Sequence, residues 1–258
     1  MTGTQLKPSS NRKQPVVDAL LLAAGSGKRM GSAGQGGNKV LLPLMGHPIL
    51  WYSLVSLLKC EEIRRIVLVH RSIDQDEITK TLSSCKPDKE ILLCEGGNER
   101  PDSVFNGLEA LSGQPPEVAL IHDSARPFFT REMVASSIEL AQINGAATVA
   151  IPLTDTLKRG RDGFLYETLP RKELFRIQTP QAFQYDLIRE AHQIFRSNPD
   201  PGVTDDCMLL EKKGMKIALV AGDERNLKIT TALDLLVAEM TLSQGKKEGS
   251  QPYPFYTR

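Results

Sequence analysis

Residues 16–39 read VVDALLLAAGSGKRMGSAGQGGNK, so an unbroken apolar run meets a segment crowded with Gly, Lys and Arg. The apolar run at 16–24 predicts a buried strand. A Gly-rich turn after a strand lets backbone N–H groups approach an anionic ligand closely, as phosphate binding requires. This stretch therefore indicates an α/β protein with an anion site beyond its first strand.

Two familiar phosphate loops do not match this stretch. A P-loop needs Gly-Lys followed by Ser or Thr, but Arg29 follows Lys28. A dinucleotide fingerprint needs a third Gly or Ala, where the chain has Met30, and an acidic residue after strand two, which ends in His70. What remains is a long glycine loop framed by Lys28, Arg29 and Lys39, which suits a triphosphate. The plain alternative is a mobile loop with solvated cations.

Short apolar runs alternate with helix-period segments along the rest of the chain. Further strands are predicted at 65–70, 90–94, 118–122, 146–152 and 216–221, and helices at 48–59, 74–84, 101–111, 131–144, 185–197, 204–213 and 231–242. The alternation predicts a single doubly wound, mostly parallel sheet with helices on both faces. In such sheets ligands bind beyond the carboxyl ends of the strands.

The alternation breaks between residues 153 and 183. Two polar–apolar strips, DTLKR (155–159) and FLYETL (164–169), flank the pair Asp162–Gly163 and predict a β-hairpin. A hairpin that projects from a sheet has unprotected edges unless it packs on something, and a second subunit is the easiest partner. We therefore expect a projecting dimerisation arm at about 154–171.

Composition argues against a general attraction to nucleic acid or membranes. The 258 residues carry 32 Lys plus Arg against 31 Asp plus Glu, a net charge of +1, so any anion site must be local. No apolar run approaches transmembrane length, and the polar first fifteen residues lack the apolar core of a secretory signal. We expect a cytoplasmic enzyme with a disordered lead-in at 1–15, one domain at 16–242 and a flexible tail at 243–258.

Further segments narrow the interpretation of the glycine loop. They are GGNERPDSV (96–104), HDSARPF (122–128), DTLKR (155–159), RKELFRIQTPQAF (171–183), VTDDCMLLE (203–211) and NLKIT (226–230). Together with the A-A-G-x-G-x-R-M loop, and in this order, they resemble the 2-C-methyl-D-erythritol 4-phosphate cytidylyltransferases of the non-mevalonate isoprenoid pathway. The resemblance covers about residues 16–242. It implies a Rossmann-like nucleotidyltransferase fold, a homodimer joined through the hairpin arm, and the substrates CTP and methylerythritol phosphate.

The resemblance also assigns roles to individual residues. It places charge stabilisation around the triphosphate on Arg29, Lys39 and Lys228. Nucleotide binding falls to Ala23, Ala24, Gly25, Gly27, Gly97, Ser103 and Ser124. Binding of the acceptor phosphate falls to Asp123, Arg126, Thr156, Arg171 and Thr204. Of these, Thr156 and Arg171 would complete the site of the neighbouring subunit.

Several of these residues also carry meaning through their own chemistry. Asp123 and Arg126 lie within one turn after a strand, so an ion pair should keep the carboxylate ionised. Ser103 begins a predicted helix, where its hydroxyl can serve pyrimidine recognition or act as a plain helix cap. Thr204 opens another predicted helix, whose first N–H groups can bind anions. His122 is interpreted as a packed strand-end residue rather than a base.

The implied reaction needs no general base, because a phosphate dianion is already a nucleophile at neutral pH. Catalysis is expected from positioning and from charge stabilisation. We expect Mg²⁺, held mainly by the CTP phosphates rather than by protein ligands. One departure from the family pattern is Asn38, which stands before Lys39 where the family usually has Pro, in a longer loop. We expect that loop to be disordered without CTP.

Other functions remain to be weighed. A ribitol-5-phosphate cytidylyltransferase of the same family would share the CTP site. A non-catalytic nucleotide-binding subunit of this fold should lose the loop cations, and this chain keeps them. A glycosyltransferase would want a D-x-D metal motif after a central strand, whereas Asp74-Gln-Asp76 stands at a predicted helix start.

Overall fold

The computed structural model describes residues 14–25 and 37–247. Predicted site residues Gly27 and Arg29 therefore lie outside the described residues, as does nearly all of the glycine loop for which disorder without CTP was predicted. The same holds for residues 1–13 and 248–258, which make up most of the predicted lead-in and tail.

A central sheet of seven strands organises the described chain, and it confirms the predicted α/β, mostly parallel fold. The strands are β1 (Val17–Leu22), β2 (Pro43–Leu44), β3 (His47–Pro48), β4 (Ile63–His70), β5 (Glu90–Glu95), β6 (Val118–Asp123), β7 (Ala146–Pro152), β8 (Lys158–Arg161), β9 (Phe164–Thr168), β10 (Phe175–Gln184) and β11 (Ala218–Ala221). The helices are α1 (Ile49–Leu58), α2 (Gln75–Cys85), α3 (Arg100–Glu109), α4 (Arg131–Asn144), α5 (Tyr185–Ser197), α6 (Cys207–Glu211) and α7 (Ala232–Lys247). The sheet order is β11-β7-β10-β6-β1-β4-β5, while β2–β3 and β8–β9 form separate two-stranded ribbons.

Strand β1 is buried along nearly its whole length, as a central parallel strand covered on both faces must be. Successive side chains point to opposite faces of the sheet. Ala19 and Leu21 belong to the apolar cluster beneath α1, α2 and α4, whereas Leu20 belongs to the cluster beneath α3, α5 and α6. The apolar run thus has helices on both sides, and its carboxyl end opens at the edge where a ligand can bind.

Strand β10 corrects the sequence-based description, which placed no strand between the hairpin and residue 185. It lies between β6 and β7 and runs antiparallel to both, with a register shift between Ile177 and Gln181. Gln178, Thr179 and Gln181 interrupt its apolar pattern, yet all three are buried. Each forms side-chain hydrogen bonds with partners distant in sequence; the Gln178 amide, for example, donates to the carbonyl of Asp223 at 2.9 Å. A local pattern cannot reveal such a strand.

The predicted hairpin is confirmed as β8 and β9. Asp162 and Gly163 join the strands with φ of 51° and 84°, the left-handed conformations that a tight two-residue hairpin turn requires. Every residue of both strands is exposed, including the apolar side chains of Phe164, Leu165 and Tyr166. The arm therefore offers an apolar surface that no other described part of the chain covers.

Two helices differ from their predicted bounds by more than two residues at one end. The helix predicted at 204–213 is the short α6, whose N-cap is Asp206, so Thr204 does not open it. Met208 N–H instead donates to Oδ1 of Asp205 at 3.1 Å. The last helix, α7, continues to Lys247. Among the described residues, we find no helix with the length and apolar character needed to cross a membrane.

Candidate active site

Two adjoining cavities open at the carboxyl edge of the sheet, where β1, β4 and β6 end. The first has a volume of about 680 Å³ and the second about 430 Å³. Arg100, Asp123 and Lys228 line both cavities. They come from the start of α3, the end of β6 and the loop before α7, so the fold brings three distant segments into one shared wall.

Most of the predicted site residues that the structure describes line one or both cavities. Ala24, Gly25, Lys39, Gly97, Ser103, Asp123 and Lys228 line the first, and Asp123, Arg126, Thr204 and Lys228 line the second. Ala23 and Ser124 are buried behind them, and the Ser124 hydroxyl donates to the carbonyl of Leu22, which joins β6 to β1. Thr156 and Arg171 line neither cavity, and Arg171 Nη1 donates to the carbonyl of Thr154 at 2.6 Å beside the arm.

A chain of alternating charges forms the shared wall. Lys228 Nζ lies 2.6 Å from Asp123 Oδ2, and Arg100 Nε lies 3.4 Å from Asp123 Oδ1. Arg100 Nη2 lies 2.8 Å from Asp206 Oδ2, and the other Asp206 oxygen lies 3.1 Å from Nε2 of His192. The His192 and Asp206 side chains are 0% and 2% exposed. One guanidinium thus neutralises two buried carboxylates from different segments.

The charges of this chain stabilise one another. Burial by itself raises the pKa of Asp123, but the positive charges of Arg100 and Lys228 outweigh it and hold that pKa well below its usual range. Burial likewise raises the pKa of Asp206, but Arg100 and the hydrogen bond with His192 lower it further than burial raises it. Burial lowers the pKa of Arg100, and its two carboxylate partners more than reverse that effect. Asp123, Asp206 and Arg100 are therefore all charged at neutral pH.

Asp123 is ionised as predicted, but its partner is not the one expected. The Arg126 guanidinium donates to the carbonyls of Asn226, at 2.9 Å, and Ile177, at 3.2 Å. Within the described residues no carboxylate lies within 4.0 Å of it, and burial lowers its pKa. Arg126 is therefore a half-buried cation held by carbonyl oxygens on the second cavity, where an anion would be stabilised.

His122 is packed inside the sheet, as predicted. It is fully buried, and burial lowers its pKa to about 4. Its Nε2 lies 3.0 Å from the carbonyl of Arg126, and its Nδ1 lies 3.0 Å from the hydroxyl of Thr179. A neutral ring that donates from Nε2 and accepts at Nδ1 satisfies both contacts. His122 is thus a neutral structural group beside the site.

The turn before α3 needs its glycines because backbone and side chains approach closely there. A Cβ on Gly97 would overlap Asp102, and one on Gly96 would overlap the side chain of Ala24. Gly97 N–H donates to the hydroxyl of Ser103 at 3.1 Å. The helix begins at Arg100 with Glu99 as its N-cap, in a reciprocal capping box with Asp102, so Ser103 stands within the first turn rather than at its start.

Sequence reasoning missed Arg100 and Asp206, although both stand inside quoted motifs. Arg100 did offer a signal, because a cation at the first position of a helix opposes the helix dipole and needs another reason to be there. Asp206 offered none, since its partners Arg100 and His192 lie on other elements. Asn38, noted only as a departure from the family pattern, is buried and hydrogen-bonded beside Lys39.

Comparison with known proteins places this chain in one family. The family model for 2-C-methyl-D-erythritol 4-phosphate cytidylyltransferase matches residues 17–244. A protein of that name from Geobacillus kaustophilus is 39% identical over 231 residues, which cover 90% of this chain and 99% of the relative. Another from Halalkalibacterium halodurans is 40% identical over 228 residues, covering 88% and 97% of the two chains.

Solved structures agree with the sequence comparison. The crystal structure of 4-diphosphocytidyl-2C-methyl-D-erythritol synthase from Anaerococcus prevotii superposes with a TM-score of 0.78 at 32% identity, covering 88% of this chain and 96% of that one. The 2-C-methyl-D-erythritol 4-phosphate cytidylyltransferase of Thermus thermophilus superposes with a TM-score of 0.67 at 29% identity, covering 87% and 98%. The chain therefore belongs to the 2-C-methyl-D-erythritol 4-phosphate cytidylyltransferase family of nucleotidyltransferases.

Proposed function

We propose that the protein transfers a cytidylyl group from CTP to 2-C-methyl-D-erythritol 4-phosphate, giving CDP-methylerythritol and pyrophosphate in non-mevalonate isoprenoid biosynthesis. The observation that carries this proposal is the pair of cavities that share Arg100, Asp123 and Lys228. A transfer between two phosphorylated substrates needs two such compartments that meet at charged groups.

The first cavity suits CTP. Its lining includes the backbone at Ala24, Gly25 and Gly97, which can approach a nucleotide closely, and the cation Lys39. We assign Lys39 and Lys228 to the charge that develops on the α-phosphate and on the leaving pyrophosphate. Arg29 keeps the same assignment as a prediction, since it lies outside the described residues.

The second cavity suits the acceptor phosphate. Arg126 supplies a half-buried cation with no carboxylate partner among the described residues, and Thr204 supplies a hydroxyl. The acceptor phosphate attacks the α-phosphorus of CTP in line, its oxygen forms the new P–O bond, and the bond to pyrophosphate breaks. No proton has to be removed from a dianion, which agrees with His122 being buried and neutral.

We propose that Mg²⁺ is bound mainly by the CTP phosphates rather than by protein side chains. Within residues 14–25 and 37–247 there is no group of three side chains suited to hold a metal ion. Asp123, a carboxylate lining both cavities, already has a cation beside each oxygen. These residues would suit a Mg²⁺ ion held by the CTP phosphates, whose negative charge the ion would partly neutralise.

We also propose that the enzyme is a homodimer joined through the arm β8–β9. Exposed Phe164, Leu165 and Tyr166 support this, as does the position of Thr156 and Arg171 outside both cavities of their own chain. If a partner supplies Arg171, mixing Arg171→Ala and Lys39→Ala subunits should restore about a quarter of wild-type activity, because half the dimers are mixed and each has one intact site. Activity that stays at the level of the inactive parents would count against shared sites.

We also propose that the protein is a cytoplasmic enzyme that acts on small molecules and has no nucleic-acid or membrane partner. CTP is a cytoplasmic metabolite, and the net charge of +1 gives no general attraction to polyanions or anionic lipids. Cell fractionation followed by immunoblotting would test the location directly.

The decisive experiment measures pyrophosphate release from CTP and magnesium with methylerythritol 4-phosphate or ribitol 5-phosphate as acceptor. We expect turnover with the first alone and its loss in Lys39→Ala. Turnover only with ribitol 5-phosphate would keep the mechanism but change the pathway. CTP binding without turnover on either acceptor would leave a non-catalytic nucleotide-binding subunit.

A further inference from the structure

Asn38 is a buried polar residue that the proposed reaction does not use. It is 4% exposed, and its side chain makes three hydrogen bonds. Its amide donates to the carbonyl of Ala23 at 2.6 Å and to Oδ2 of Asp74 at 2.8 Å. Its amide oxygen accepts from the N–H of Val40 at 3.3 Å. A side chain that satisfies three groups on three segments fixes those segments relative to one another.

Asp74 is itself held in place. Arg71 donates to it through Nε at 2.7 Å and through Nη2 at 2.8 Å, so the two side chains form a two-bond ion pair. Burial alone raises the pKa of Asp74, but the hydrogen bonds from Arg71 and Asn38 reverse that effect and lower it. Asp74 is therefore a fixed, charged acceptor, and its bond to the Asn38 amide is of the stronger, charge-assisted kind.

These bonds tie the residue next to Lys39 to the central sheet. Ala23 directly follows β1, and its N–H donates to the carbonyl of Val69 in β4 at 2.7 Å. Val40 lies in a short 3₁₀ helix of one turn, Lys39–Leu41, for which Asn38 is the N-cap. The Asn38 hydrogen bonds thus hold the start of this turn against the carboxyl edge of β1 and β4. Lys39, the first residue of the turn, lines the first cavity.

We propose that Asn38, oriented by Asp74, is a positioning residue for Lys39. The inference rests on the proposed role of Lys39 in the transfer reaction. A preorganised cation stabilises developing charge only while it stays where that charge appears, and a displacement of about 1 Å can cost about 100-fold in rate. Without the Asn38 bonds, the 3₁₀ turn would lose its hydrogen bonds to Ala23 and Asp74, while its own backbone bonds and the packing of Val40 and Leu41 would remain.

A double-mutant cycle tests this inference. Pyrophosphate release at saturating substrates is measured for the wild type, Asn38→Ala, Lys39→Ala and the double variant. We expect Asn38→Ala to lower kcat about 10- to 100-fold, leave the KM of the acceptor within about twofold, and have no further effect once Lys39 is absent. Asp74→Asn, which keeps the side-chain shape but weakens the acceptor, should lower kcat in the same direction and by less.

Thr130→Ala is the matched control, because Thr130 is also an N-cap, of α4, and accepts from Met133 N–H at 3.3 Å away from both cavities. It should lower the melting temperature and leave kcat unchanged. Equal losses from Asn38→Ala in the presence and absence of Lys39 would overturn the inference, as would an unchanged kcat in Asn38→Ala or, should that variant not fold, in Asp74→Asn. Full activity in Lys39→Ala would overturn the proposed role of Lys39 itself.

Discussion

Lys228 Nζ lies 2.6 Å from Asp123 Oδ2, although the two residues are 105 positions apart in the chain. Removing one of these two residues does not have the same electrostatic consequence as removing the other. Asp123 keeps Arg100 as a second cation when Lys228 is removed, whereas removing Asp123 leaves Lys228 and Arg100 facing each other in a half-buried place. Structure and activity should therefore respond differently to the two changes.

We predict that Asp123→Ala destabilises the fold more than Lys228→Ala does. Loss of the carboxylate should cost about 3 kcal/mol, the cost of leaving buried charge uncompensated, because Asp123 is only 12% exposed. Lys228→Ala should unfold at nearly the wild-type urea concentration yet lose about 10²–10³ in kcat/KM. Lys80→Ala, which breaks the exposed pair with Glu77, is the control and should change neither quantity. Equal unfolding midpoints for the two site variants would contradict the asymmetry.

Arg100 should not tolerate replacement by lysine. Its Nε and Nη2 contact two carboxylates on separate segments, and a single ammonium cannot reproduce that fork. We predict that Arg100→Lys raises the KM of both CTP and the acceptor nearly as much as Arg100→Gln does, because Arg100 lines both cavities.

The control for Arg100 is Arg189→Lys, which alters a two-bond pair with Glu109 on the surface between α5 and α3. It should leave both KM values unchanged. A rise in only one KM for Arg100→Lys would show that the two cavities do not depend on this residue jointly.

Stability should fall as pH falls below about 6.5, and His122 should account for much of the change. Its pKa is about 4 in the folded protein against 6.5 ordinarily, so between these values the unfolded chain binds a proton that the folded protein excludes. The free energy of unfolding should therefore drop by about 2 kcal/mol from this group between pH 7 and pH 5. Urea titrations of the wild type and His122→Gln at both pH values measure the difference, and identical pH dependence in the two proteins would rule out this origin.

Two variants of Asn38 can separate the effect of its backbone angle from the effect of its side-chain hydrogen bonds. Its φ is −75°, within the range that a proline ring imposes. We predict that Asn38→Pro keeps more of kcat than Asn38→Ala does, because the ring preserves the backbone angle although it cannot donate to Ala23 or Asp74. Steady-state turnover decides the order, with each variant assayed at the same interval below its own melting temperature. Asn38→Pro falling below Asn38→Ala would show that the backbone angle contributes nothing.

The parts of the fold that follow from local pattern could be predicted. The bounds of α4, α5 and β7 agree with the sequence interpretation, because apolar period and caps act over a few residues. The hairpin turn at Asp162–Gly163 likewise follows from residues that accept positive φ. The two cavities lie at the carboxyl ends of β1 and β6, where the rule for parallel sheets predicts a ligand site.

The rest depended on contacts between distant segments. Strand β10 could not be recognised because its buried Gln178 and Gln181 find their partners in other strands and loops. Sequence proximity suggested Arg126 as the partner of Asp123, but the chain turns after β6 and directs Arg126 to carbonyls instead. The pairs of Arg100 are specified by three-dimensional proximity alone.

The place of β10 in the sheet also determines the order in which the newly made chain can fold. β7 has only β10 and β11 as neighbours in the sheet, and both follow it in sequence. While the ribosome is still making residues 153–174, β1, β4, β5 and β6 can already pair, but β7 has no strand to join. Emergence of β10 is thus the step that joins β7 to β6, and until then the edge of β6 that β10 will cover stays open.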